Sequence, residues 1–189
     1  MGLLQPTIVP AQTADHVTTV SLTRVPVVFS GGHETDPRDH GRPVALIAGA
    51  LGVQPEVFRE AFSHVRPAPA GTAPEPDQVR ENKAALMSAL ARYGVTNERL
   101  DEVSNYYRYR REKGEMWPTR PAVAFAILDR GAVTHFIVVN GGSGYSSPPT
   151  ISVPGTTVRA TKAVLSFDRS FDKNGSVARI TESGAGINP

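Results

Sequence analysis

Asn140-Gly-Gly-Ser-Gly-Tyr-Ser-Ser-Pro-Pro-Thr150 is the stretch whose reading decides the fold. An apolar run, residues 133–139, enters it, and Ile151-Ser-Val153 leaves it. Gly141, Gly142 and Gly144 allow positive φ and close backbone approach. Pro148 and Pro149 fix φ and donate no hydrogen bond, so a regular ladder cannot continue through them. Tyr145 is the one large side chain between them, an apolar ring that can plug a sheet end while its hydroxyl finds a partner. The stretch reads as a rigid, Tyr-anchored connection between two strands.

These residues resemble the short β repeats of secreted bacterial surface and adhesin-like proteins: a glycine-rich turn, Gly-Tyr, Pro-Pro and a following strand. The similarity covers residues 131–153. It implies a β scaffold in an extracellular or cell-surface protein and brings no catalytic residue with it. A degraded second copy closes the chain. Gly175-Ser-Val177 answers Gly131-Ala-Val133, and Gly184-Ala-Gly186-Ile187 answers Gly142-Ser-Gly144-Tyr145.

Around this stretch the period of the sequence changes twice. Residues 17–29 are rich in Val and Thr and read as strand, with Pro26 demoting it to an edge or splitting it in two. Four helices follow. The first is a short buried one from Arg42 to Leu51, with Pro43 near its first turn. The second starts at Pro55 and turns Val57, Phe58, Ala61 and Phe62 to one face. After a Pro/Ala linker over residues 66–76, the longest runs to Tyr93 and stops at Gly94, with Leu86, Met87, Leu90 and Tyr93 as its buried stripe. Thr96 or Asn97 caps the fourth, which turns Leu100, Val103, Tyr106 and Tyr107 inward. From Pro121 onward four strand segments alternate with the hairpin-type turns Asp129-Arg-Gly131 and Asp172-Lys-Asn-Gly175. The expected class is α+β: a β arm (residues 1–30), a compact four-helix segment (31–117) and a small, mainly antiparallel β module (118–189).

Composition narrows the functions. With no cysteine, disulfides, thiolate metal sites and cysteine nucleophiles are excluded. Twenty Lys and Arg face eighteen Asp and Glu, a balance that does not demand nucleic acid as a partner. Met1-Gly-Leu-Leu lacks a basic n-region and a long apolar h-region, so no signal peptide is expected in these residues, and no apolar run reaches membrane-spanning length.

His33, Glu34, Asp36, Asp39 and His40 lie within eight residues on a Gly-flanked loop. Glu34, Asp36 and Asp39 suit a hard cation such as calcium, which takes about six to eight oxygens in loose geometry. Two imidazoles with a carboxylate could instead hold zinc, and a plain capped turn is the third reading, with Asp39 paired to Arg42. Asp168, Asp172 and Asn174 form a weaker calcium candidate, because a loop with Gly175 at the sixth position puts Ser170 first and Thr181 twelfth, where an EF-hand needs acids. Residues 48–59 have the outline of a helix-turn-helix but offer a base-reading helix only Gln54, Glu56 and Arg59, which favours a plain helical hairpin.

Tyr106, Tyr107, Tyr109 and Trp117 interleave with arginines as anchors of a protein interface do, or pack inward at a helix end. No Gly-x-Ser-x-Gly elbow and no phosphate cradle is present, so no catalytic residue is assigned. The resulting expectation is an exported structural protein that assembles with its own kind into rings, tubes or filaments, with calcium as modifier. Residues 1–30 would supply a strand exchanged between subunits or paired within one. The alternatives are a metal-dependent hydrolase using the loop from His33 to His40 and a surface- or carbohydrate-binding module using Trp117 and the tyrosines.

Overall fold

The computed structural model of the chain describes residues 22–66, 68, 72–73, 75–109, 113–156 and 161–182. Residues 1–21, part of the Pro/Ala linker, Arg110, Arg111 and the second repeat's Gly184-Ala-Gly186-Ile187 lie outside the described residues.

Pro26 acts in both expected ways. It ends β1 (Leu22–Pro26), an edge strand, and the chain resumes after Val27 as β2 (Val28–Ser30). A 3-10 turn, Pro37–Asp39, leads to α1 (Val44–Leu51) and α2 (Pro55–Ser63). The helix α3 (Pro76–Leu90) tightens into a 3-10 turn over Ala91–Tyr93, and α4 (Asn97–Tyr106) follows. The remaining strands are β3 (Val123–Asp129), β4 (Ala132–Asn140), β5 (Thr150–Ser152), β6 (Thr161–Ser166) and β7 (Ser176–Glu182). The fold is α+β, with every sheet antiparallel.

The helix boundaries follow from local chemistry. Pro43 precedes α1, and Gly52, left-handed at φ 74°, closes it by donating to the carbonyls of Ala48 and Gly49. Thr96 caps α4, its hydroxyl accepting from the Arg99 amide at 3.2 Å. Leu46, Leu51, Leu90 and Val103 are wholly buried between the helices, with Phe58, Ala61 and Leu100 around them. At about 1.5–3 kcal/mol for each large side chain, this burial is what holds short helices that would not persist alone. Tyr93 departs from the expected stripe and is exposed, because the last turn of α3 tightens and rotates its ring outward.

Among the described residues the strands form three sheets instead of the expected one. The order β1-β3-β4 forms one, β2-β5 a second and β6-β7 a third. The arm crosses between the first two. Val25 lies opposite Ala126, and three residues later Val28 lies opposite Ser152. The described part of the arm, residues 22–30, thus pairs within its own chain. Among the described residues no helix is long and apolar enough to cross a membrane.

One buried polar side chain joins the helices to the third sheet. Asn174 has no solvent exposure; its amide donates to the Leu46 carbonyl and the Tyr107 hydroxyl, each at 2.7 Å. Its side-chain oxygen accepts from the Asp168 amide at 3.1 Å. Both its amide and its oxygen are thus engaged in the interior. Asn174→Ala leaves three partners short at once, two of them buried, and should cost roughly 3 kcal/mol. Urea midpoints of variant and parent at equal slope measure it; a shift of a few tenths would mean that water replaces the amide.

Candidate functional site

The loop after β2 and the Gly-Tyr turn close on each other. Gly32 accepts at its carbonyl from the amides of Ser146 and Ser147, at 2.9 and 3.2 Å, and the Ser146 hydroxyl donates to the Glu34 carbonyl at 2.7 Å. Tyr145 is buried, and its hydroxyl accepts from the Ala122 amide at 3.0 Å, the anchor expected of a ring that plugs a sheet end. Its own amide donates to the Gly175 carbonyl at 2.9 Å. Gly32 sits at φ 88°, and a Cβ there would stand 2.7 Å from the Tyr145 ring, so the loop can lie flat on the tyrosine only as glycine. Gly144 at φ 85° has the Pro118 carbonyl 2.6 Å from where its Cβ would be. The rest of the turn is locked by further bonds. Gly141 accepts from the Val177 amide at 2.8 Å and Gly142 donates to the Asn140 side chain at 2.9 Å. Pro149 is buried beside Gly32, while Pro148 faces solvent.

His33 is the residue this closure positions. Its ring stacks on Tyr145, 5.2 Å between centroids and 7° from parallel, with Trp117 edge-on at 6.4 Å. Its Nδ1 meets the Gly144 carbonyl at 3.2 Å. A carbonyl only accepts, so Nδ1 carries a proton. The same carbonyl accepts from Trp117 Nε1 at 2.8 Å. Tyr109 lies edge-on to Trp117 and donates its hydroxyl to the Gly41 carbonyl. Beside this cluster is a cavity of about 600 Å³, bordered by His33, Glu34, Thr35, Tyr109, Met116 and Trp117.

The three loop carboxylates each have a separate partner. Glu34 accepts from the Ser147 hydroxyl and from the Gly32 amide at 3.1 Å. The serine bond first, and backbone amides after it, hold its pKa below the ordinary value. A lowered carboxylate contributes stability at neutral pH and loses it as the pH falls through the folded-state value. Asp36 caps the 3-10 turn, accepting from the Arg38 amide at 2.9 Å and from that residue's guanidinium, which hold it well below the usual carboxylate range. Asp39 is buried and takes a two-point bond from Arg59, at 2.7 and 2.9 Å, instead of from Arg42. Among the described residues no group of three His, Cys, Asp or Glu side chains is placed to hold a metal.

The second calcium candidate does not converge. Asp168 accepts from the Ser170 amide at 2.8 Å and Asp172 from the Ser170 hydroxyl, while Asn174 turns to the core. The aromatic set also faces the chain's own interior. Tyr106 stacks on Phe171 at 3.9 Å, Tyr107 and Trp117 are each only 4% exposed, and burial pushes the Tyr107 hydroxyl up to about 12. Trp117 therefore offers no free face for a sugar. The sequence offers Arg59 only as a base-reading residue and gives no role to Phe171; their partners here lie 20 and 65 residues away, and no local pattern announces them.

Nothing among protein-family models, curated proteins or solved structures matches the chain. Its site is read from its own geometry.

Tyr145 tests the closure. Tyr145→Ala removes a large buried ring and should cost roughly 3–5 kcal/mol, whereas Tyr145→Phe leaves only the Ala122 amide unpaired, about 1–3 kcal/mol. Denaturant midpoints for the pair check it; equal and negligible shifts would place the ring outside the core.

Proposed function

We propose that the protein is a non-catalytic structural module of an exported bacterial protein and that it pairs with a second copy of itself along the edge of β4. The reading as an exported β scaffold rests on the resemblance of residues 131–153. The pairing rests on one observation, the state of β4. This nine-residue strand bonds only to β3 among the described residues, and its sequence, Ala132-Val-Thr-His-Phe-Ile-Val-Val-Asn140, contains no Lys, Arg, Asp, Glu or Pro. Those are the residues with which edge strands are usually blunted. Phe136 and Val138 pack inward, while Ile137 and Val139 alternate outward at 43% and 59% exposure. The opposite edge is guarded: β1 ends on Pro26, and its Arg24 lies 3.5 Å over the Phe125 ring.

Two β4 strands related by a two-fold axis would pair antiparallel and join two three-stranded sheets into one of six strands. The contact uses the same patch on both copies and closes as a dimer. Rings, tubes or filaments would need a second, different contact, and residues 22–30 are already spent within the chain. Calcium, as a modifier acting through Glu34, Asp36 and Asp39, would have to displace Arg38 and Arg59 from the two aspartates.

Sedimentation of the whole chain over a roughly hundredfold concentration range should show a monomer–dimer equilibrium. The double variant Ile137→Lys, Val139→Lys alters only outward positions and should remain monomeric with the parent's circular dichroism. A parent that stays monomeric throughout, or a double variant that still dimerises, would contradict the pairing.

A further inference from the structure

A second cavity, of about 530 Å³, lies between the 3-10 turn, the start of α1 and the end of α2. Its walls combine the guanidinium groups of Arg38, Arg42 and Arg59 and the His40 imidazole with the apolar Val44 and Phe62. The one carboxylate on its lining, Asp39, is buried and already engaged by both arms of Arg59. Asp36 and Glu56, which do not line the cavity, bind Arg38 and Arg59 at 2.7 and 2.8 Å. Those two arginines are thus held in place and neutralised.

Arg42 is different. It has no carboxylate within 4.0 Å among the described residues, and the one hydrogen bond of its side chain among them is a long one, 3.4 Å, to the Asp39 carbonyl. Its guanidinium carbon stands 4.2 Å from the centroid of the Phe62 ring. Stacking of this kind fixes the orientation of the planar fork while leaving its in-plane donors open. The backbone at the mouth is also special: His40 is left-handed at φ 50°, one of two non-glycine residues so placed among the described residues, and Gly41 follows at φ 86°. Strain of this order persists where the surroundings impose it, and it clusters at ligand sites.

We propose that this cavity binds a small organic oxyanion, a carboxylate or a phosphate monoester carrying an apolar body. Arg42 takes the oxyanion through its open fork, the carboxylate-paired Arg59 forms a fixed wall, and Val44 with Phe62 contacts the apolar part. Burying Asp39 is costly unless it is paired, and here the pair holds Arg59 rigidly at the cavity wall. The site is independent of β4 and is the same in monomer and dimer.

The test uses the full chain with four probes: benzoate, phenyl phosphate, inorganic phosphate and benzyl alcohol, titrated at low salt by calorimetry or ligand-detected NMR. At least one aromatic anion should bind saturably, and inorganic phosphate and benzyl alcohol at least about tenfold more weakly, because each lacks half of the recognition. Preference for benzoate identifies the carboxylate source and preference for phenyl phosphate the phosphate source. Arg42→Gln should weaken the aromatic anion by about tenfold or more, Arg42→Lys by less, and the remote Arg92→Gln should leave it unchanged. The proposal is overturned if neither aromatic anion saturates, if inorganic phosphate or benzyl alcohol binds as well, or if both Arg42 variants bind as the parent does.

Discussion

The carbonyl oxygen of Gly144 accepts from two aromatic rings, Trp117 Nε1 at 2.8 Å and His33 Nδ1 at 3.2 Å, and the rest of the structure depends on that meeting. Three distant segments end there: the loop after β2, the segment after α4 and the Gly-Tyr turn. Each hydrogen bond contributes only about 0.5–1.5 kcal/mol net, and the His33–Tyr145 stack a similar amount. Their weight is geometric. They fix Trp117 in the helical core and Tyr145 in the sheet core on either side of one peptide group, so neither core can close without the other.

A second tie reinforces the first from the opposite end of the helices. Arg99 on α4 donates to the Ala50 carbonyl through Nε and Nη2, at 3.2 and 2.9 Å, and also to the Arg169 carbonyl beyond β6. Its guanidinium carbon lies 4.7 Å from the Phe171 centroid, and Phe171 stacks on Tyr106. With Asn174 wedged between Leu46 and Tyr107, the loop between β6 and β7 becomes part of the helical core. The α and β parts, separate in sequence, share one interior.

What was legible in the sequence was local. Gly52 and Gly94 stop helices, Thr96 caps one, Pro26 divides a strand, and Tyr145 among glycines and prolines plugs a sheet end with its hydroxyl occupied. Each follows from a φ preference or a missing donor that acts within a few residues. The misleading positions are those whose partners are remote. Asn174 fits a turn, a calcium loop and a buried hub equally well until Leu46 is known to lie above it. Asp39 pairs with Arg59, twenty residues on, instead of with the nearer Arg42. His33 reads as a ligand within its own loop, yet its bond to Gly144 and its stack on Tyr145 lie more than a hundred residues away in the turn. Tyr107 and Trp117 have the composition of interface anchors, and the same amphipathic rings serve an internal junction between two cores just as well.

The central claim is that the junction at Gly144 makes the helical and β parts one cooperative unit. Trp117 is the chain's single tryptophan and sits at that junction, so its fluorescence reports the contact directly. Urea unfolding of the parent, followed in one experiment by Trp117 fluorescence and by helical circular dichroism, should give coincident transitions with the same midpoint and slope. A fluorescence transition well separated from the helical one would show that the junction opens on its own, and would contradict the account.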